Sequence, residues 1–114
     1  MEPKFRVEFL DEAVEFMENL TPKVRRKIYY NLKKAQIQND KTIFKKLSKD
    51  IWEFRTLYQK TYYRLFAFWN KLDKNDTLVI ATHGIEKKSG KISKNEIEKA
   101  KKIRRKYFEE LKND

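Results

Sequence analysis

Residues 51–69 read IWEFRTLYQKTYYRLFAFW, and TLVIATH follows at 77–83. Side chains alternate between the two faces of a strand. In IWEFRTLY this puts Trp52, Phe54 and Tyr58 on one face and Ile51, Glu53, Arg55 and Leu57 on the other. TYYRLFAFW, at 61–69, is dense in the aromatic residues that fit a pleated, buried surface. NKLDKND at 70–76 has the composition of a turn, and TLVIATH supplies a further β-branched run. Three strands joined by short connections predict an antiparallel meander.

Working outward, Phe5, Val7 and Phe9 alternate with Arg6 and Glu8, which predicts a short first strand. Asp11 offers an N-cap for a helix carrying Val14, Phe16, Met17 and Leu20. Thr21-Pro22 starts a second helix, Thr as cap and Pro where its missing N–H is not needed. Val24, Ile28, Leu32 and Ala35 form its apolar stripe, and Asn39-Asp40 its stop. KTIFKKLSKD at 41–50 reads as an irregular connection pinned by Phe44 and Leu47. Past the strands, Ser93 and Glu96 have the spacing of a capping box. Ile97, Ala100, Ile103, Tyr107 and Leu111 then trace a helical stripe beneath Lys101, Lys102, Arg104, Arg105 and Lys106. The expected fold is α+β in one domain over 1–114: a small antiparallel sheet backed, on one side, by an N-terminal helix pair and a C-terminal helix.

Composition narrows the function. The chain has 114 residues, long enough for one core without staples, and no Cys, which removes disulfides and thiolate chemistry. A single His rules out a multi-histidine metal centre within one chain; neither a metal nor a cofactor is expected. No run is apolar enough for a secretory leader or a membrane span, so the expectation is a cytoplasmic protein with no membrane partner. The formal charge is +11 and unevenly placed. Residues 1–20 carry six acids, whereas residues 21–49 carry ten basic groups against Asp40 alone. Lys23, Arg25, Arg26, Lys27, Lys33 and Lys34 fall mostly off the apolar stripe of their helix. Such a dense cationic segment attracts a polyanion through phosphate neutralisation, and nucleic acid is the expected partner.

A second set of cations sits on the predicted strands: Arg55, Arg64, and the run His83-Gly84-Ile85-Glu86-Lys87-Lys88. Arg64 lies in phase with Tyr62, Phe66 and Phe68, so its charge must either pair with an acid, Glu53 being the nearest choice, or face an anion. Guanidinium forks match phosphate oxygens and stay charged, which suits Arg55 and Arg64 to contacting a phosphate. His83 titrates near neutrality and is the natural proton carrier, Lys87 and Lys88 the next; equally, the histidine could simply orient the Gly84 turn.

The blocks Trp52-Glu53-Phe54-Arg55, Tyr63-Arg64-Leu65-Phe66, His83-Gly84-Ile85-Glu86-Lys87-Lys88 and Glu96-Ile97-Glu98-Lys99-Ala100, in this order, resemble the RelE/HigB toxin superfamily. Within it the likeness is to the phage-derived HigB-like branch. The resemblance implies the toxin of a type II toxin–antitoxin pair that cuts messenger RNA in the ribosomal decoding site, with a cognate antitoxin as partner. It further implies a catalytic cluster of Arg55, Arg64, His83, Lys87 and Lys88. The tyrosine that RelE carries near the start of its last helix has no counterpart around Ile97, leaving Tyr107 as its substitute or the role vacant. Two alternatives stand beside this one: a ParE-like gyrase inhibitor, and a non-catalytic RNA-binding module.

Overall fold

The computed structural model describes residues 3–71, 77–87 and 91–113. In chain order the elements are β1 (Arg6–Phe9), α1 (Asp11–Glu18), α2 (Pro22–Ile37), β2 (Phe44–Lys46), β3 (Trp52–Tyr58), β4 (Thr61–Asn70), β5 (Leu78–Lys87) and α3 (Lys94–Lys112). The five strands form one sheet in the order β1-β5-β4-β3-β2. The expected α+β class and the β3-β4-β5 meander are both present. β3 and β4 are joined by a two-residue turn in which Gln59 and Lys60 have φ of 48° and 66°. That positive-φ pair matches the twist of the strands it joins.

Four details depart from the sequence reading. β1 is not antiparallel: it pairs parallel to β5, Arg6 opposite Leu78 and Phe9 opposite Ala81. The connection at 41–50 contains a true strand, β2, with Phe44 opposite Phe54. Asp11 is the first residue of α1 rather than its cap, which is Leu10 with no side-chain bond; the carboxylate instead faces the helix's positive N-terminal end. The helices do not share one side. Ala13 and Met17 of α1, and Val24, Ile28, Leu32 and Ala35 of α2, pack with Phe54, Leu65, Ala67, Val79 and Ala81 on one face of the sheet. Ala100, with Ile97, Tyr107 and Phe108 of α3, packs with Phe66, Phe68, Leu78 and Ile80 on the other. The reason is visible in LFAFW: the run is apolar at every position, so both of its faces need covering.

The capping residues act as read. Thr21 accepts a hydrogen bond from the Val24 N–H at 3.4 Å, and Ser93 from the Glu96 N–H at 3.4 Å. A bulge opposite Phe66/Ala67 inserts Thr82 into β5, since Phe66 pairs with His83 and Ala67 with Ala81. After it, Gly84 lets α1 approach the strand. A Cβ at Gly84 would lie 2.3 Å from Cδ2 of Phe16. Replacing Gly84 with Ala is expected to cost about 1–3 kcal/mol in urea unfolding. The same change made together with Phe16→Ala should cost less than it does alone, a coupling that a double-mutant cycle reads directly.

Candidate functional site

The hairpin register sets Arg55 opposite Arg64, two like charges that destabilise a strand pair unless something separates their demands. Glu53, one pleat along on the same face, takes Arg64. The Arg64 Nη1 donates to both Glu53 carboxylate oxygens, at 3.1 and 2.9 Å, and the two side chains are only 7% and 1% exposed. Arg64 Nε is buried without an acceptor among the described residues, so the fork keeps donor capacity beyond its acid. Tyr62 lies between the two cations, its ring 5.8 Å from the Arg55 guanidinium and 5.2 Å from that of Arg64. From β5, Ile85 lies opposite Arg64 and Lys87 opposite Tyr62. Tyr62, which the sequence places in phase with Arg64, therefore lies beside both cations of the cluster. The signal for this was its two-residue phase with Arg64 and its place beside the turn.

Arg55 is aimed by the segment before β2. Asp40 accepts from the Thr42 N–H at 2.9 Å and from its hydroxyl at 2.6 Å, bonds that hold the Asp40 carboxyl below the usual range, with Lys34 adding to the effect. The closed turn presents the Thr42 carbonyl to Arg55 Nε at 3.3 Å, and the Arg55 N–H donates to Ile43 O at 2.6 Å. The half-buried Arg55 side chain is thus tethered at Nε, leaving its two terminal nitrogens for a ligand.

His83 shares this face, though α3 covers it. Its ring stacks on Phe66 at 4.8 Å and is 3% exposed. Nδ1 lies 2.9 Å from the Thr82 hydroxyl, and Nε2 lies 3.4 Å from Glu96 Oε1, within ion-pair range but not aligned as a hydrogen bond. Burial, reinforced by Lys99, pushes the imidazole pKa below its usual value, against opposing pulls from Glu96 and Glu12. Lys99 in turn pairs with Glu12 at 3.0 Å, tying α3 to α1. The Glu96 carboxylate of the capping-box pair is therefore directed to the histidine.

α3 starts beside His83 and runs toward Asn70, where the Asn70 side-chain amide donates to the Tyr107 hydroxyl at 3.0 Å. Among the described residues, α3 begins level with His83, and β4 and β5 run on past that point to the β3–β4 hairpin. The helix puts Tyr107 at the opposite end of the strands from Arg55, in contact with Phe68 rather than with the cations. Lys88 lies outside the described residues. The α2 cations do not join the cluster, because α2 packs on the other face through Val24, Ile28, Leu32 and Ala35. Among them, Lys23, Arg26, Lys27 and Lys33 are exposed, Arg25 donates to the Leu20 carbonyl at 3.3 Å, and Lys34 pairs with Asp40 at 3.9 Å. Among the described residues no group of three or more acidic or histidine side chains could hold a metal ion, and no helix is long and apolar enough to cross a membrane.

The chain is thus a small basic α+β domain in which two arginines face each other across a hairpin of the sheet. A family model for the phage-derived Gp49-like proteins matches residues 15–105, from within α1 to within α3, and the chain belongs to that family. It is a toxin-like family, associated with the toxins of toxin–antitoxin pairs, which implies a cognate antitoxin partner. No curated protein matches the chain.

Two outcomes follow from these contacts. Glu53→Ala leaves Arg64 buried and unpaired and is expected to lower stability by about 3–5 kcal/mol. Glu53→Leu combined with Arg64→Met should recover most of that loss in the same unfolding assay. For His83 the folded pKa is depressed, so the unfolded chain takes up the proton first as the pH falls. The stability supplied by the neutral ring is full above about pH 6.5 and is lost as the pH drops through the folded value. Urea unfolding between pH 7.5 and 5 should show this declining limb in the wild type and a flatter one in His83→Gln.

Proposed function

We propose that this chain is the toxin of a type II toxin–antitoxin pair and acts as a ribosome-dependent endonuclease of messenger RNA. The observation that carries the reading is the meeting of Arg55, Arg64, Tyr62 and Lys87 at the hairpin end of one sheet face, with a single acid, Glu53, among them. In the proposed step the 2′-oxygen of a nucleotide attacks the adjacent phosphorus and the bond to the 5′-oxygen breaks. The products are a 2′,3′-cyclic phosphate and a 5′-hydroxyl. Arg55 and the uncommitted part of the Arg64 fork stabilise the charge on the phosphorane oxygens. Glu53 positions Arg64 without neutralising Arg55. The 2′-hydroxyl gives up its proton to solvent water as it attacks, and the leaving 5′-oxygen takes a proton from Lys87, with Lys88 next to it in sequence and His83 behind.

The burial of His83 under Glu96 supports a positioning role: stacked on Phe66 next to the bulge, the ring keeps Ile85 and Lys87 in phase with Arg64 and Tyr62. RNA would reach the imidazole only once Glu96 moved aside. The sparse supply of acid–base groups favours cleavage inside the ribosome, where the messenger is already held in place. There the exposed α2 cations Lys23, Arg26, Lys27 and Lys33 meet ribosomal RNA from the opposite layer. A net charge of +11 suits an acidic antitoxin, and the ribosomal target makes the cytoplasm the place of action.

The test is primer extension on translated messages after induction, using Arg55→Ala and Lys87→Ala. Arg64→Ala is the poorer probe, because it leaves Glu53 buried alone and confounds chemistry with folding. Each of the two preferred variants should lose about 100-fold or more in cleavage rate while keeping its circular dichroism. Full cleavage by both would overturn the assignment. Intact transcripts with inhibited DNA supercoiling would move the chain to the gyrase inhibitors, and intact bound RNA would make it a binding module.

A further inference from the structure

Away from the hairpin, the far end of the sheet holds a cleft of about 500 Å³, within the roughly 300–1,000 Å³ span of small-ligand sites. It is lined by Lys46 from β2, Lys49 and Asp50 from the turn before β3, Trp52 from β3, Trp69 from β4, and Lys71 just after it. Arg64 and Trp69 are five residues apart on β4, which at the usual strand rise separates this cleft from the paired arginines by about 16 Å.

The composition of the walls is specific. The indoles of Trp52 and Trp69 meet edge to face, with centroids 5.9 Å apart and planes at 79°. Phe44 stacks behind Trp52 at 4.8 Å and is itself stacked on Phe54 at 4.2 Å, so the indole is braced from within the core. Both tryptophans remain half-buried. The three lysines are exposed and form no ion pair among the described residues. Among the described lining residues the one acid, Asp50, lies 3.8 Å from Arg104 of α3, which offsets its charge. A rigid aromatic wall ringed by unpaired ammonium groups suits an unpaired nucleobase, stacked on the indole, with a phosphate on either side of it. An apolar peptide would leave the lysines without partners, and an acidic one would leave the indoles without a stacking face.

We infer that this cleft binds single-stranded RNA, one unpaired base against the tryptophans and its flanking phosphates against Lys46, Lys49 and Lys71. The inference rests on the reading of the chain as acting on RNA. It adds a second anchoring point for the strand, remote from the proposed cleavage centre and on none of the residues assigned to it.

The chain provides its own reporter, because its only two tryptophans are the two in the cleft. Titration of the whole protein with a ten-nucleotide oligoadenylate should quench tryptophan emission, and an RNA duplex at equal phosphate concentration should not. Lys46→Ala/Lys49→Ala/Lys71→Ala, all surface changes, should weaken the quenching binding by tenfold or more and flatten its log–log salt slope by about two. Trp52→Leu should weaken binding, read by fluorescence anisotropy of labelled oligoadenylate, by roughly tenfold. Arg55→Ala should leave the quenching unchanged. No quenching by a protein that still cleaves messages would overturn the cleft while leaving the proposed function standing. Quenching abolished by Arg55→Ala would overturn it as well, by placing the strand on the other site. So would quenching by polyglutamate that matched the RNA in affinity, which would make the cleft a docking point for an acidic protein.

Discussion

The contact of one Arg64 nitrogen with both Glu53 carboxylate oxygens decides what their face of the sheet is able to do. β4 carries its arginine between a tyrosine and a phenylalanine on one strand face, where a solitary charge costs several kcal/mol. Glu53, directly across from Phe66, meets that demand and is itself almost wholly buried. A pair of this kind adds little net stability compared with two apolar side chains, but losing either member is costly. Its effect is orientation. Arg64 is held with one nitrogen spent and others directed elsewhere, beside Tyr62 and the second guanidinium, and the like charges of Arg55 and Arg64 tolerate being neighbours because one of them is balanced.

Much of this was legible in the sequence because period-two alternation states which residues share a face. It put Glu53 with Arg55, and Arg64 with Tyr62, Phe66 and Phe68, and it named Glu53 as the partner to look for. Thr21-Pro22 and Ser93 marked helix starts through local chemistry alone. What escaped depends on contacts between distant segments. Alternation in FRVEF identifies a strand but not its neighbour, so its parallel pairing with β5 was invisible. A stripe on α3 says that the helix has a covered side, not which side of the sheet covers it. His83 looked available because nothing within its own strand announces that Glu96 and Phe66 will enclose it.

The charge map changes meaning once the layers are known. By sequence, the cations of the second helix and those of the strands form one basic inventory. In space the sheet divides them: α2 presents its lysines and arginines on one outer surface, and the hairpin presents Arg55 and Lys87 on the other. The protein therefore offers its cations on more than one side, rather than along a single extended groove.

The parallel pairing of β1 with β5 bears on the order in which the molecule can assemble. Arg6 finds its neighbour only when Leu78 has been made, and Glu12 meets its lysine only after Lys99. β3, β4 and β5 each pair with a neighbour in sequence, so the meander assembles locally, and the docking of β1 along β5 is the step with the longest loop to close.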